Sequence, residues 1–170
     1  MKILLWPFII LSGLGLILSL IVHIVSWLGV RIPFDHLVWH LHSGIFVVWF
    51  PAVLVVARLT KDYKHKDFWR AAFRGCPTWM RRMAYGFFAY AIANFILFML
   101  TNTATDRSKG TPPSVFRGFS GHWMAFYSIS LAVLYSATKA GDTQRRCPLG
   151  HAVSVSARYC EECGAPMPPP

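Results

Sequence analysis

Four long runs of apolar residues dominate the chain, and short polar segments separate them. The runs cover residues 3–30, 37–57, 83–101 and 119–138, and none has an Asp, Glu, Lys or Arg in its interior. A helix needs about 20 mostly apolar residues to cross the ~30 Å hydrocarbon layer of a bilayer. The pattern therefore predicts an all-α membrane protein, built as an antiparallel bundle of four transmembrane helices.

The distribution of charge supports this prediction and indicates an orientation. Only 14% of the residues are charged, whereas soluble domains have about 25%. Of the 17 Lys and Arg, 13 lie before the first run, between the second and third, or after the fourth, and four lie on the opposite side. The positive-inside rule then places both termini in the cytoplasm. The net charge of +10 is divided among separate loops rather than gathered on one face, which disfavours nucleic acid as a partner.

Small residues recur at helical spacing within the runs, which indicates faces that pack against other helices. The stripes of the first, third and fourth runs are, respectively, Ser12, Gly15, Ser19, His23 and Ser26; Ala89 and Ala93; and Ser128, Ala132, Ser136 and Ala140. We expect these faces to meet within one chain and form a compact bundle. Contact between copies of the chain, giving a homo-oligomer, is the alternative.

The segment between the second and third runs, residues 61–75, combines aromatic and basic residues. Phe68, Trp69 and Phe73 can share one face of a helix, with basic residues around it. This pattern predicts a short amphipathic helix lying on the anionic lipids of the cytoplasmic leaflet. The alternative is that the basic residues only determine topology.

The tail after the fourth run contains two pairs of candidate metal ligands. It reads Cys147-Pro-Leu-Gly-His151, then eight residues, then Cys160-Glu-Glu-Cys163-Gly. Thiolates and imidazoles bind zinc tetrahedrally, and four protein ligands leave no open position for a substrate or water. We therefore expect a structural zinc site at Cys147, His151, Cys160 and Cys163. Disulfide pairing is the alternative, and a reducing cytosol disfavours it.

This tail resembles the very short zinc-ribbon modules found at the ends of many bacterial proteins, in their C-P-x-G-H variant. The resemblance covers about 20 residues and implies zinc binding, not a reaction. It divides the chain into a transmembrane domain, residues 1–140, and a zinc-ribbon tail, residues 141–170. The whole chain resembles small four-span proteins of the bacterial inner membrane, a resemblance from which no activity carries over.

Histidines are concentrated near the non-cytoplasmic ends of the runs. Five of the seven histidines lie there: His23, His36, His40, His42 and His122. His23 and either His40 or His42 fall at similar depth, because each residue of a helix rises 1.5 Å. In one interpretation His23, His40, His42 and His122 bind a cofactor, which would be haem b, another metal or a quinone. In the other, these side chains hydrogen-bond to loop backbone and hydroxyl groups and hold the helix ends together.

Several functional classes lack support in the sequence. The runs contain no carboxylate, which argues against proton- or sodium-coupled transport, and no motif typical of a hydrolase occurs. The favoured hypothesis is a non-enzymatic accessory or scaffold subunit whose zinc tail and basic loop engage a cytoplasmic protein partner. A membrane redox or metal-handling protein that uses the histidines is the alternative.

Overall fold

The computed structural model describes residues 3–61, 63, 65–101, 110–140, 145–153, 157–160 and 162–167. Its α-helices are α1 (Trp6–Trp27), α2 (Asp35–Thr60), α3 (Phe68–Ala72), α4 (Thr78–Thr101) and α5 (Pro113–Ala140), with 3-10 turns at Ile3–Leu5 and His65–Asp67. Two short strands, β1 (Arg145–Arg146) and β2 (Ala152–Val153), pair antiparallel in the tail. The predicted helical architecture is confirmed over the described residues, and α2 continues through Pro51.

Among the described residues, three helical segments are long and apolar enough to cross a membrane. They are Ile3–Trp27, Asp35–Thr60 and Thr78–Thr101, and an 18-residue stretch within each has a mean hydropathy of 2.6, 1.9 and 1.8, respectively. Their outward faces carry large apolar side chains that no part of the described chain covers, such as Ile17 (57% exposed), Phe50 (69%) and Leu100 (80%). Because soluble monomers rarely expose contiguous apolar surface on this scale, these faces are suited to contact with lipid.

Helix α5 is long but less apolar, and it occupies the centre of the bundle. It packs against α1, α4 and α2, and none of its large hydrophobic side chains is exposed. Its fully buried residues include Ser120, Trp123, Ser128, Ala132 and Ser136. The lower hydropathy of α5 therefore comes from small and polar residues that face other helices rather than lipid.

Two buried clusters stack along α5 and give the directions of the neighbouring helices. Near the C-terminal end of α5, Val133 packs with Ile9 of α1 and Ala52 of α2. Near its N-terminal end, Trp123 packs with Leu16 of α1 and Ile45 of α2. Thus α1 runs antiparallel to α5, whereas α2 runs parallel to it.

The predicted small-residue faces are confirmed on α1 and α5 but not on α4. Ser12, Ser19 and Ser26 of α1 are buried, as are Ser128, Ala132 and Ser136 of α5. The expectation for α4 is wrong, because Ala89 and Ala93 face outward and the buried residues are Met80, Ala84, Ala91 and Asn94. The physical reason is the Asn94 amide, which donates to the carbonyl oxygens of Arg117 (2.9 Å) and Gly118 (3.2 Å) and turns that face of α4 towards α5.

The connection between α2 and α4 folds against the end of α5. Its α-helix has only five residues, and Phe73 just after it is buried in the bundle while Trp69 stacks on it from outside. The Gly75 N–H donates to Ser136 Oγ (3.0 Å), and the Cys76 thiol donates to the Ala132 carbonyl oxygen (2.8 Å). Burial raises the pKa of Cys76 to about 11, so this side chain is a neutral thiol at physiological pH.

The ring of Tyr127 fills a gap that glycines leave between α1, α2 and α5. A Cβ atom on Gly15 would overlap the ring, and one on Gly44 would lie 2.6 Å from the phenol oxygen. The phenol donates a hydrogen bond to the Leu41 carbonyl oxygen (2.7 Å), which prevents the ring from moving aside. Glycine at these positions permits the close approach of the three helices.

We predict that Gly15→Ala destabilises the bundle by about 1–3 kcal/mol, the usual cost of forcing extra atoms into a packed core. Gly13→Ala is the matched control, because a Cβ at Gly13 meets nothing within 4 Å. Thermal unfolding of the detergent-purified protein measures the difference. Equal melting temperatures for the two variants would contradict the close packing described for Tyr127.

Candidate metal centre

The first half of the tail is a tight turn that presents Cys147 and His151. Strands β1 and β2 pair on either side of it, with Arg146 opposite Ala152. The Gly150 N–H donates to the Cys147 carbonyl oxygen (2.8 Å), and the Cys147 N–H donates to the His151 carbonyl oxygen (3.0 Å). Gly150 has a φ of 85°, a conformation that favours glycine because other residues are strained there.

The second half repeats this construction with the order of ligand and glycine exchanged. Gly164 has a φ of 68° and its N–H donates to the Cys160 carbonyl oxygen (2.9 Å), while the Cys160 N–H donates to the Ala165 carbonyl oxygen (2.9 Å). In the first turn the glycine is the fourth residue and the second ligand the fifth. In the second turn Cys163 is the fourth residue and the glycine the fifth.

The two turns bring the four predicted ligands together. The sulfur atoms of Cys147, Cys160 and Cys163 and a ring nitrogen of His151 all lie within 4.8 Å of one another. Sγ of Cys147 is 3.5 Å from Nδ1 of His151 and 3.7 Å from Sγ of Cys163, and Sγ of Cys160 is 3.8 Å from the same Nδ1. A tetrahedron with Zn–S bonds of about 2.3 Å and a Zn–N bond of about 2.0 Å has edges of roughly 3.8 Å (S···S) and 3.5 Å (S···N). The four side chains therefore fit a tetrahedral metal ion of this size.

The described residues of the tail form only a small core around these ligands. The buried ones are Cys147, Val153 and Cys160, and partly buried side chains such as Ala157 and Met167 pack against them. A core of this size cannot offset the conformational entropy lost on folding, whereas metal binding can. Within the described part of the chain, this is also the only group of three or more His, Cys, Asp or Glu side chains placed to hold a metal.

The surroundings of the cysteines favour a thiolate at one position. Burial opposes ionisation of Cys160, but the backbone N–H groups of Cys163 and Glu162, together with the Cys163 and His151 side chains, lower its pKa to about 6. The Ala165 backbone N–H lowers the pKa of Cys163, but the Cys160 side chain, burial and the Cys147 side chain together outweigh it, so the net shift of this pKa is upward. At neutral pH, one ligand is therefore already in the charged form that binds metals.

His23 is held by side chains from two other helices. Its Nδ1 lies 2.7 Å from Ser120 Oγ of α5, and its Nε2 lies 2.6 Å from the Tyr90 hydroxyl of α4 and 2.9 Å from Trp27 Nε1. The Arg117 guanidinium lies 4.8 Å from the centroid of the Trp27 ring. These contacts connect α1, α4 and α5 at the histidine-bearing end of the bundle.

The contact with Trp27 determines the tautomer of His23 and excludes one function. An indole N–H can only donate, so Nε2 is the acceptor and Nδ1 carries the proton that is donated to Ser120 Oγ. A histidine that activates a serine must instead accept the hydroxyl proton. The Ser120–His23 pair is therefore not arranged as a nucleophile and its base.

The other candidate histidines have hydrogen-bond partners different from those of His23. His42 Nδ1 accepts a hydrogen bond from Trp123 Nε1 (3.1 Å), and His122 Nδ1 donates to the Gly118 carbonyl oxygen (3.3 Å). His40 is exposed, and its Nδ1 donates to the His36 carbonyl oxygen of the same helix (3.1 Å). The described hydrogen-bond partners of His23 lie on α1, α4 and α5 rather than on α2, and none of them is His40 or His42.

Three residues that sequence reasoning did not identify take part in these two sites. Tyr90 and Ser120 bond to His23 from distant helices, and nothing in the spacing of the chain indicates which side of α1 they face. Glu162 places a carboxylate oxygen 3.5 Å from His151 Nε2. The feature of the sequence that could have identified Glu162 is its position between the ligands Cys160 and Cys163.

Comparisons with protein-family models, with curated proteins and with solved structures found no match to this chain.

We predict that His23→Ala lowers the free energy of unfolding by about 1–2 kcal/mol, because it leaves the Tyr90 and Ser120 hydroxyls without this partner. His40→Ala is the matched control, since that side chain is exposed and bonds only within its own helix in the described contacts. Thermal unfolding in detergent distinguishes the two. A larger loss from His40→Ala than from His23→Ala would contradict the role assigned to His23.

Proposed function

We propose that this protein is a four-span membrane protein with a structural zinc tail, acting as a non-catalytic accessory or scaffold subunit of a membrane complex. The observation that carries the proposal is the closed set of four ligands in the tail. Three thiolates and one imidazole fill the coordination of a tetrahedral ion, so no position is left for a substrate or a reactive water. The metal then stabilises a shape rather than supplying a reaction.

Zinc is the metal that this donor set favours. Thiolates and imidazole in a tetrahedral arrangement suit Zn²⁺, whereas Mg²⁺ and Ca²⁺ require oxygen ligands. The distances among Cys147, His151, Cys160 and Cys163 support the same choice, because they match the edges expected for Zn–S and Zn–N bonds.

We infer that α5 is the fourth span, although it is less apolar than the other three. Three membrane-length helices surround it, and its serines and its histidine are directed into the bundle or towards helix neighbours. A helix that contacts protein on all sides does not need a lipid-compatible surface, so its lower hydropathy is consistent with a membrane position. From four spans and the Lys and Arg distribution we infer that both termini lie on the cytoplasmic side of a bacterial inner membrane.

The surface of the tail supports a role in protein contact. Leu149 at the first turn is 69% exposed and Tyr159 beside the second ligand pair is 65% exposed. Exposed aromatic and aliphatic side chains on a rigid small module are typical anchors of a protein interface. The partner would be a cytoplasmic region of another subunit or a second copy of this chain.

We predict that the purified full-length protein holds one zinc ion per chain and that Cys160→Ser lowers the bound zinc to less than a tenth of a mole per mole. Cys76→Ser is the matched control, because Cys76 is a neutral thiol outside the tetrad and its loss leaves the zinc content unchanged. Elemental analysis of protein purified without added metal gives the stoichiometry. Full zinc retention in Cys160→Ser would contradict the proposed site.

The same pair of variants tests the scaffold role. Crosslinking in intact membranes should capture one recurrent partner, or a second copy, with the wild type and with Cys76→Ser. The crosslinked product should be lost in Cys160→Ser while the membrane content of the chain stays the same. An unchanged crosslinked product from the zinc-free tail would show that the tail does not mediate the contact.

A further inference from the structure

The two ring nitrogens of His151 face different chemical groups. Nδ1 lies 3.5 Å from Cys147 Sγ and 3.8 Å from Cys160 Sγ, on the side where the ligand atoms converge. Nε2 lies 3.5 Å from the Glu162 carboxylate, on the other side of the ring. The sequence alone does not distinguish these nitrogens.

We propose that Glu162 is the positioning residue of the metal centre: its carboxylate holds the proton on His151 Nε2 and thereby presents Nδ1 as the coordinating nitrogen. This inference rests on the proposed zinc function of the tail. A metal-bound histidine commonly donates its second ring N–H to a carboxylate, which orients the ring and strengthens it as a ligand. Glu162 is placed to do this for His151.

The arrangement also joins the two halves of the tail. Glu162 belongs to the second turn, between the ligands Cys160 and Cys163, whereas His151 belongs to the first turn. The second turn therefore supplies two ligands of its own and also orients a ligand of the other. This contact adds to the link that the metal would make between the turns and to the small cluster of described tail side chains that includes Val153 and Met167.

The exposure of Glu162 sets the size of the expected effect. Its side chain is 67% exposed and that of His151 is 35% exposed, so water screens the interaction. Loss of an outer partner of this type costs 10- to 100-fold in metal affinity. We expect about a tenfold loss, at the lower end of that range.

The test uses the full-length chain in detergent and a competing chelator to measure zinc affinity. Glu162→Ala should weaken zinc binding about tenfold, whereas Glu161→Ala, which removes the same charge one residue away, should weaken it less than about threefold. Glu162→Gln should recover most of the loss, because its amide oxygen still accepts the Nε2–H. Nitrogen NMR of the zinc-loaded wild type should show Nδ1 bound to metal and a protonated Nε2.

Two results would overturn the inference while leaving the zinc site intact. One is equal loss of affinity in Glu162→Ala and Glu161→Ala, which would mean that only net charge matters. The other is metal bound to Nε2 in the NMR spectrum. A wild-type chain that binds no zinc at all would overturn the proposed function together with this inference, so the two failures are distinguishable.

Discussion

The structure depends on the burial of one helix by three others. Helix α5 carries small and polar residues along its length, and α1, α2 and α4 cover them while presenting apolar side chains outward. Buried polar groups of α5 are stabilised when they hydrogen-bond within the bundle, and the Ser130 hydroxyl is a buried group with no partner among the described residues. Two hydroxyls of α5 bond locally: that of Ser128 donates to the Ala125 carbonyl oxygen (3.0 Å) and that of Thr138 donates to the Tyr135 carbonyl oxygen (2.7 Å).

The bundle and the tail reach a defined structure by different means. In the bundle, glycine and serine allow close helix approach, and side chains such as Tyr127 and Asn94 then bond across the contacts. The described residues of the tail bury only a small cluster, so in the proposed function a shared metal ion holds its two turns together. This difference means that metal removal should affect the tail far more than the helices.

The sequence predicted those features that depend on local spacing. Run length indicated the helices, and the intervals between Cys147, His151, Cys160 and Cys163 indicated a common site, because tight turns place their ends close together. Rotation of one helix against another was less predictable. Ala89 and Ala93 have the spacing of a contact face, but the hydrogen bonds of Asn94 turn a different face of α4 inward. Tyr90 and Ser120, which bond to His23, lie on helices far from it in sequence. The rise of 1.5 Å per residue indicates how deep a residue lies along a helix, but not which way its side chain points around the helix axis.

The central position of α5 is most directly tested by mapping lipid contact in native membranes. A photoactivatable phospholipid, crosslinked and located by mass spectrometry, should label outward residues of the three surrounding helices, such as Ile17, Phe50 and Leu100. It should leave the segment around Ala132 in α5 unlabelled, because that segment is fully buried. Labelling of α5 as strong as that of α1, α2 and α4, or no labelling of any helix, would contradict the account.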